Sequence, residues 1–252
     1  MPGKLQAQYK IKLETGREQF LRLLEVTSTR SEKKIVDIPA AIRSLDLNGE
    51  GLPQVSLDEA LTSVPGLFFQ NQFNSAQDLR LSIRGFGARS AFGVRGVKIL
   101  VDGIPLTLPD GQTQLDSIDP GMINSLEVLR GPSSSLYGNA SGGTISIKTF
   151  DGPRSGFESD SRLLLGSFGL EKYQIKSGGT FGSLNYNIYA SHLQRDGYRD
   201  HSATENTLVH GKFGWQTDAN SSWTFILRHL LSPKAQDPGA LTEQQADFNP
   251  KA

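Results

Sequence analysis

The sequence predicts an α+β unit, a small mixed sheet with short helices, followed by antiparallel strands of the transmembrane β-barrel type. Three observations carry this. Between Ile83 and Thr149, short apolar runs are jointed by glycines at the spacing of a compact sheet. At Asp151-Gly152-Pro153 the texture changes. Beyond it, segments of about 10 residues alternate apolar with polar side chains between turn residues, the pattern of strands with lipid on one face and a lumen on the other.

Each element follows from its own residues. Lys33 to Ile42 reads as a first strand ended by Pro39. Ser56-Leu57-Asp58-Glu59 has the form of a capping box that opens a helix through Leu61, with Leu57, Ala60, Leu61 and Val64 on one face, and Pro65-Gly66 stops it. Leu67 to Gln70 is then a strand and Gln72 to Asp78 a polar loop. Leu79, Leu81 and Ile83 alternate with polar neighbours and face a core. Val97 to Val101 is mostly apolar and reads as a buried strand, and Asp102-Gly103 supplies the tight turn that returns the chain through Ile104 to Leu106. Leu126 to Leu129 and Thr144 to Lys148 are further strands, joined by a loop of small residues. After residue 151 about five alternating segments follow. Leu184, Tyr186, Ile188 and Ala190 oppose Asn185, Asn187 and Ser191, while Val209, Gly211, Phe213 and Trp215 oppose His210, Lys212 and Gln216. Gly178 to Ser183 and Asp218 to Ser222 read as short turns, Gln194 to Asn206 as a longer loop, and Tyr173, Tyr189, Trp215 and Trp223 as interfacial girdle residues.

The totals exclude several classes. Twenty-six basic residues balance 26 acidic ones across 252, so bulk charge gives no reason to expect nucleic acid. With no cysteine there is no disulfide, thiolate metal site or cysteine nucleophile. Gly85-Phe86-Gly87 is not a dinucleotide fingerprint, since Ser90 stands where the third glycine belongs. No GxSxG, HExxH or P-loop occurs, and His192, His201, His210 and His229 fall on separate segments. The expectation is a chain that is not an enzyme and has neither cofactor nor metal centre.

The run SIRGFGARSAFGVRGVKILVDGIPLTLPDG and the later EVLRGPSSSLYGNASGGTISIKT resemble the plug domain of TonB-dependent outer-membrane receptors. Several separate motifs stand in family order from about Ser56 to Thr149. GFGARSAFGVRG and LPDGQ are most similar to the subtype that takes up pyrroloquinoline quinone; related sequences serve ferric siderophores. The resemblance implies residues 1–32 as an N-terminal segment, 33–150 as plug and 151–252 as the first strands of a barrel. It implies a place in the cell outer membrane, a small-molecule or metal-chelate ligand, lipid around the barrel, and TonB with its inner-membrane complex as the partner that drives import.

By the same resemblance, the loops carrying Arg89, Phe92, Asp110 and Gln112 are plug apices that meet ligand. Arg84 and Arg130 would sit between plug and barrel and pair with barrel carboxylates, a geometry that suits a planar guanidinium. Leu24-Glu25-Val26-Thr27-Ser28 resembles the TonB box, an extended segment that pairs with the energy-transducing protein by strand addition, although Arg22 stands where an acidic residue usually opens it.

Two departures shape the expectation of function. The first 24 residues lack a secretory signal pattern. Family barrels have about 22 strands and about five are present, too few to close a barrel in lipid. The expected function is therefore a receptor importing a scarce solute, in a truncated copy. The alternatives are a non-functional gene fragment or a soluble ligand-binding or adhesion module, and the apolar outward faces weigh against the soluble module.

Overall fold

The computed structural model describes residues 40–47, 55–91 and 93–252 throughout, and the backbone of four short strands ahead of them. Those strands form two hairpins: β1 (Gln8–Lys12) with β2 (Glu18–Arg22), and β3 (Glu25–Val26) with β4 (Lys33–Lys34).

The first strand of the main plug sheet is β5 (Ala41–Asp46), so Pro39 precedes that strand and does not end it. Proline offers no amide to a ladder, and pairing with a neighbour begins beyond it. Helix α1 (Leu57–Leu61) starts after Ser56 as the pattern requires, but the Ser56 side chain makes no capping bond. Glu59 alone serves the helix entry, accepting from the Val55 amide at 3.1 Å. A two-stranded ribbon follows, β6 (Leu67–Gln70) with β7 (Arg80–Ile83). Next come β8 (Val94–Arg95), β9 (Val97–Val101), β10 (Ile104–Pro105) and β11 (Gln112–Thr113). β12 (Ile123–Arg130), a four-residue α2 (Ser134–Tyr137) and β13 (Gly143–Thr149) complete the unit.

The plug sheet runs β10-β9-β13-β12-β5 and is mixed, because β13 lies parallel to β9 while the other pairs are antiparallel. Asp102 and Gly103 form the turn between β9 and β10, at φ 51° and 80°; two successive positive φ values are what a two-residue hairpin of this hand demands. One sheet face packs on α1. Leu61, Ile83, Ile99, Leu126, Val128 and Ile147 are all essentially solvent-free there. Each such side chain stabilises the fold by about 1.5–3 kcal/mol.

Beyond the plug sheet stands a wall of five antiparallel strands in chain order: β14 (Phe157–Gly166), β15 (Leu170–Phe181), β16 (Leu184–Arg195), β17 (Thr204–Gln216) and β18 (Ser222–Ala235). A last short helix, α3 (Glu243–Phe248), follows β18. The wall obeys the alternation of its sequence. Ile188, Val209, Phe225 and Leu227 are exposed on the outer face, whereas Lys172, Asn187, Ser191 and His210 are buried on the face turned to the plug. Phe157, Phe181, Trp215, Trp223 and Phe225 gather near the end that carries the turns 182–183 and 217–221, with Trp215 and Trp223 directly paired across strands. From Phe181 to Glu171, β15 climbs about 34 Å along its axis. At the tilt of barrel strands that corresponds to a height of ~24 Å, the thickness of an apolar membrane band.

Two expectations about the wall need correcting. Gly178 and Gly179 lie inside β15, and the turn is only Gly182-Ser183. The glycines are there because the chain leaving the plug passes over them: a Cβ on Gly178 would stand 3.1 Å from the Cα of Gly152 and 2.8 Å from the Tyr186 carbonyl. Tyr189 is not a girdle residue. It shares parity with Asn187 and Ser191 and is 1% exposed, sealed against the plug.

Candidate functional site

Three regions hold polar side chains in defined geometry: an apical pair of loops, a strap beside it, and the seam between plug and wall.

The loops expected to be apical, 84–91 with Gly93 and 107–112, are tied together by the β8–β11 pair, in which Arg95 faces Gln112 and Val94 faces Thr113. The approach is close enough to require glycine at position 93: its φ is 56°, and a Cβ would meet the Thr113 carbonyl at 2.6 Å. Beneath the second loop Thr113 donates to Thr107 at 2.7 Å, and Thr107 accepts from the Ile99 amide, so buried hydroxyls brace the loop from below. On top, Asp110 accepts from the Gln112 amide at 3.0 Å. The Arg95 guanidinium donates to Gln112 Oε1 at 3.3 Å and lies 3.7 Å from the Asp110 carboxylate. The structure thus joins two of the expected ligand-facing residues, Asp110 and Gln112, to Arg95. The sequence motifs do not single out Arg95; its register opposite Gln112 does. Arg89 is exposed on the adjacent loop, with no polar partner among the described residues. Phe92 lies outside the described residues, as do Leu24, Thr27 and Ser28 of the TonB-box-like segment; Glu25 and Val26 are the backbone of β3.

The strap is the loop 71–78. Asn74 and Gln77 donate to the two oxygens of Asp237, in the segment after β18, at 2.9 and 2.8 Å. Arg195, at the end of β16, donates to Ser75 Oγ at 3.2 Å. The hydrogen bonds from Gln77, from the Gly239 amide and from Asn74 hold the Asp237 carboxyl below the ordinary carboxylate range. Behind the strap lies a cavity of about 260 Å³ lined in part by Asp58, Glu59, Asp116 and Arg195. Burial, together with the neighbouring Asp78 carboxyl, pushes Asp116 up to about 7. Glu59 is raised as well, chiefly by burial.

The seam carries the buried charge. Asp119 takes Lys172 at 2.9 Å and also accepts from Tyr189, Ser191 and Gln174 of the wall and from the Gly121 amide of its own turn. Lys212 of β17 bridges Asp102, at the β9–β10 turn, and Asp151, at 3.1 and 2.8 Å. Lys176 stands 3.6 Å from the centre of the Phe150 ring, a cation–π contact. Asn185 exchanges two 3.0 Å hydrogen bonds with the backbone of Gly152. Arg84 and Arg130 take no part in this seam. Arg84 is exposed at φ 50°, and Arg130 donates to the Pro65 carbonyl at 2.9 Å within the plug. Along these five strands the plug supplies carboxylates and the wall supplies lysines. Among the described residues no group of three or more His, Asp or Glu side chains could hold a metal ion.

Comparison with known proteins agrees with this architecture. The family described as TonB-dependent Receptor Plug Domain matches residues 36–144. The hemin receptor of Yersinia enterocolitica is 28% identical over 238 residues, which cover 87% of this chain and 34% of that protein. A vitamin B12 transporter of Vibrio vulnificus is 28% identical over 159 residues, 61% of this chain and 24% of the relative. Among solved structures, the pyoverdine outer membrane receptor FpvA of Pseudomonas aeruginosa superimposes with a TM-score of 0.66 at 19% identity, over 82% of this chain and 29% of that one. The ferric yersiniabactin uptake receptor FyuA of Yersinia pestis gives 0.60 at 20% identity, over 77% and 32%. The chain spans about a third of the length of the hemin receptor it matches.

Proposed function

We propose that this chain is the plug and the first five wall strands of a TonB-dependent receptor that imports a scarce solute. Its location is the outer membrane, as for the receptors it resembles. The observation that carries the reading is the seam: a folded sheet is fastened by buried ion pairs to the inner face of strands whose outer face is apolar and exposed. A soluble binding module has no use for Phe225, Leu227 and Trp223 on its surface. A wall that lipid covers has.

In this reading the apical cluster receives the solute. Arg89 has no polar partner among the described residues, and Arg95 is held by Asp110 and Gln112 with half its side chain in water; both suit carboxylates or the acidic groups of a metal chelate. Relatives named for hemin and ferrioxamine support the chelate class, and the GFGARSAFGVRG motif supports pyrroloquinoline quinone. The segment around Glu25–Val26 would pair with TonB by strand addition. No step of this function is catalytic.

Uptake of labelled pyrroloquinoline quinone and of a ferric siderophore, each at limiting concentration in cells producing the receptor, tests the proposal. One of the two should accumulate, with accumulation lost in cells without TonB and in a Val26→Pro variant. Equal accumulation with and without TonB would overturn it.

A further inference from the structure

The plug sheet has a second face, turned away from α1, and with the wall it encloses a cleft of about 980 Å³. This is at the upper end of the volumes of small-molecule sites, ~300–1,000 Å³. Its charged lining consists of Lys98, Lys148, Lys212, Asp102 and Asp151. Lys212 holds both carboxylates. Lys98 and Lys148 are left with no ion pair or hydrogen bond among the described residues. Lys98 is the register partner of Thr144 on β13. Thr144, Ser146 and Lys148 point to one face of that strand, so both lysines stand on the same side of the sheet. Four residues of strand separate their attachment points by ~13 Å. Leu100 and Pro105 of the sheet and Ile226 of the wall are apolar members of the same lining.

We propose that this cleft is a second, inner site for a rigid polycarboxylate, which would lie flat on the sheet face with acidic groups reaching Lys98 at one end and Lys148 at the other. The site deepens the receptor reading and rests on it: a solute leaving the apical loops would meet a second pair of cations on the far side of the plug. The lining carries three ammonium groups against two carboxylates, so it keeps an excess of one positive charge, and two half-buried lysines without an ion pair of their own favour an anion in the cleft. A monocarboxylate can satisfy only one of the two lysines, so spacing selects for ligands with acids at opposite edges.

Lysine footprinting on the full chain in detergent micelles tests the site without any transport step. The probe is benzene-1,3,5-tricarboxylate, with benzoate as control, and reductive methylation is read at each lysine by peptide mass spectrometry. The tricarboxylate should slow modification of Lys98 and Lys148 at least fivefold, benzoate should not, and the exposed Lys234 should be unaffected by either. In Lys98→Met, protection of Lys148 should fall to the benzoate level while Lys172 stays unreactive, which reports that the seam is still folded. Lys98→Arg should keep the protection. Equal rates at Lys98 and Lys148 with and without the tricarboxylate would overturn the proposal. Protection combined with TonB-independent uptake would retain the site and reject the receptor reading.

Discussion

Replacing Asp119 by Ala removes the carboxylate on which the plug–wall seam converges. Four wall side chains aim at it, and Lys172, whose own side chain is 1% exposed, loses the acid it touches at 2.9 Å. Breaking a buried ion pair by deleting one partner costs about 3–5 kcal/mol, because a charge is left in a poorly solvating place. At 1.4 kcal/mol per factor of ten, local opening of the seam should become between about a hundredfold and a few thousandfold more frequent. Hydrogen exchange of the chain in micelles, followed by mass spectrometry over peptides covering residues 117–124 and 187–193, reads that opening directly. Lys172→Met should be milder than Asp119→Ala, since Asp119 would keep its bonds from Tyr189, Ser191, Gln174 and Gly121. Adding Lys172→Met to Asp119→Ala should recover part of the loss, because the stranded charge is gone. The reasoning fails if Asp119→Ala changes exchange less than threefold, or if the double variant is as labile as the sum of the two.

Three other perturbations follow from the same structure. Asp116 keeps its proton up to about pH 7 when folded and only to about pH 4 when unfolded, so stability should fall as pH rises from about 4 to 7 and then level. Asp116→Asn should match the wild type at pH 4 and exceed it at pH 8 by about 1 kcal/mol, a figure discounted because the side chain is partly in water; chemical denaturation at the two pH values measures it, and a parallel pH dependence would refute it. Gly93→Ala, which drives a Cβ onto the Thr113 carbonyl, should cost more than Gly85→Ala, where φ is 86° but no atom lies within 4 Å; thermal melts should show roughly 3 against roughly 1 kcal/mol. Leu227→Arg, on the outer face of β18, should lower the folding yield of the proposed receptor, with its barrel closed, into lipid vesicles by the equivalent of about 2–4 kcal/mol, whereas a soluble module carrying it would fold equally well or better.

Strand alternation by itself made most of the wall legible in the sequence. Period-two patterning separates Ile188 from Asn187 and Val209 from His210 without ambiguity, because a slip of one residue would turn every side chain to the other face. Tyr189 shows where residue type misleads: an aromatic with a polar tip suggests an interface, yet its parity with Asn187 and Ser191 places it against Asp119. The glycines at 178 and 179 mislead in the same way, since glycine marks a close passage of backbone as readily as a turn. The hairpin at Asp102-Gly103 was legible because only a few residues tolerate its backbone; the pairing of Asp102 with Lys212, 110 residues away, was not. Nothing local encodes such a partnership. The apical cluster was half legible for the same reason: Asp110 and Gln112 belong to a recognisable turn, while the role of Arg95 depends on which strand lies beside it.

The outward row of Phe181, Trp215 and Trp223 has a mechanical meaning once the seam is considered with it. In the proposed receptor a pull on the plug would be handed to the wall through Asp119 and Lys212, and the wall would have to stay at its depth for the plug to yield. To sink with the plug, the wall would have to carry these rings out of the membrane boundary and drag the polar rim around Glu171 and Glu205 into hydrocarbon. In that reading the row is the footing against which force would be exerted: a membrane around three aromatic side chains would supply the reaction.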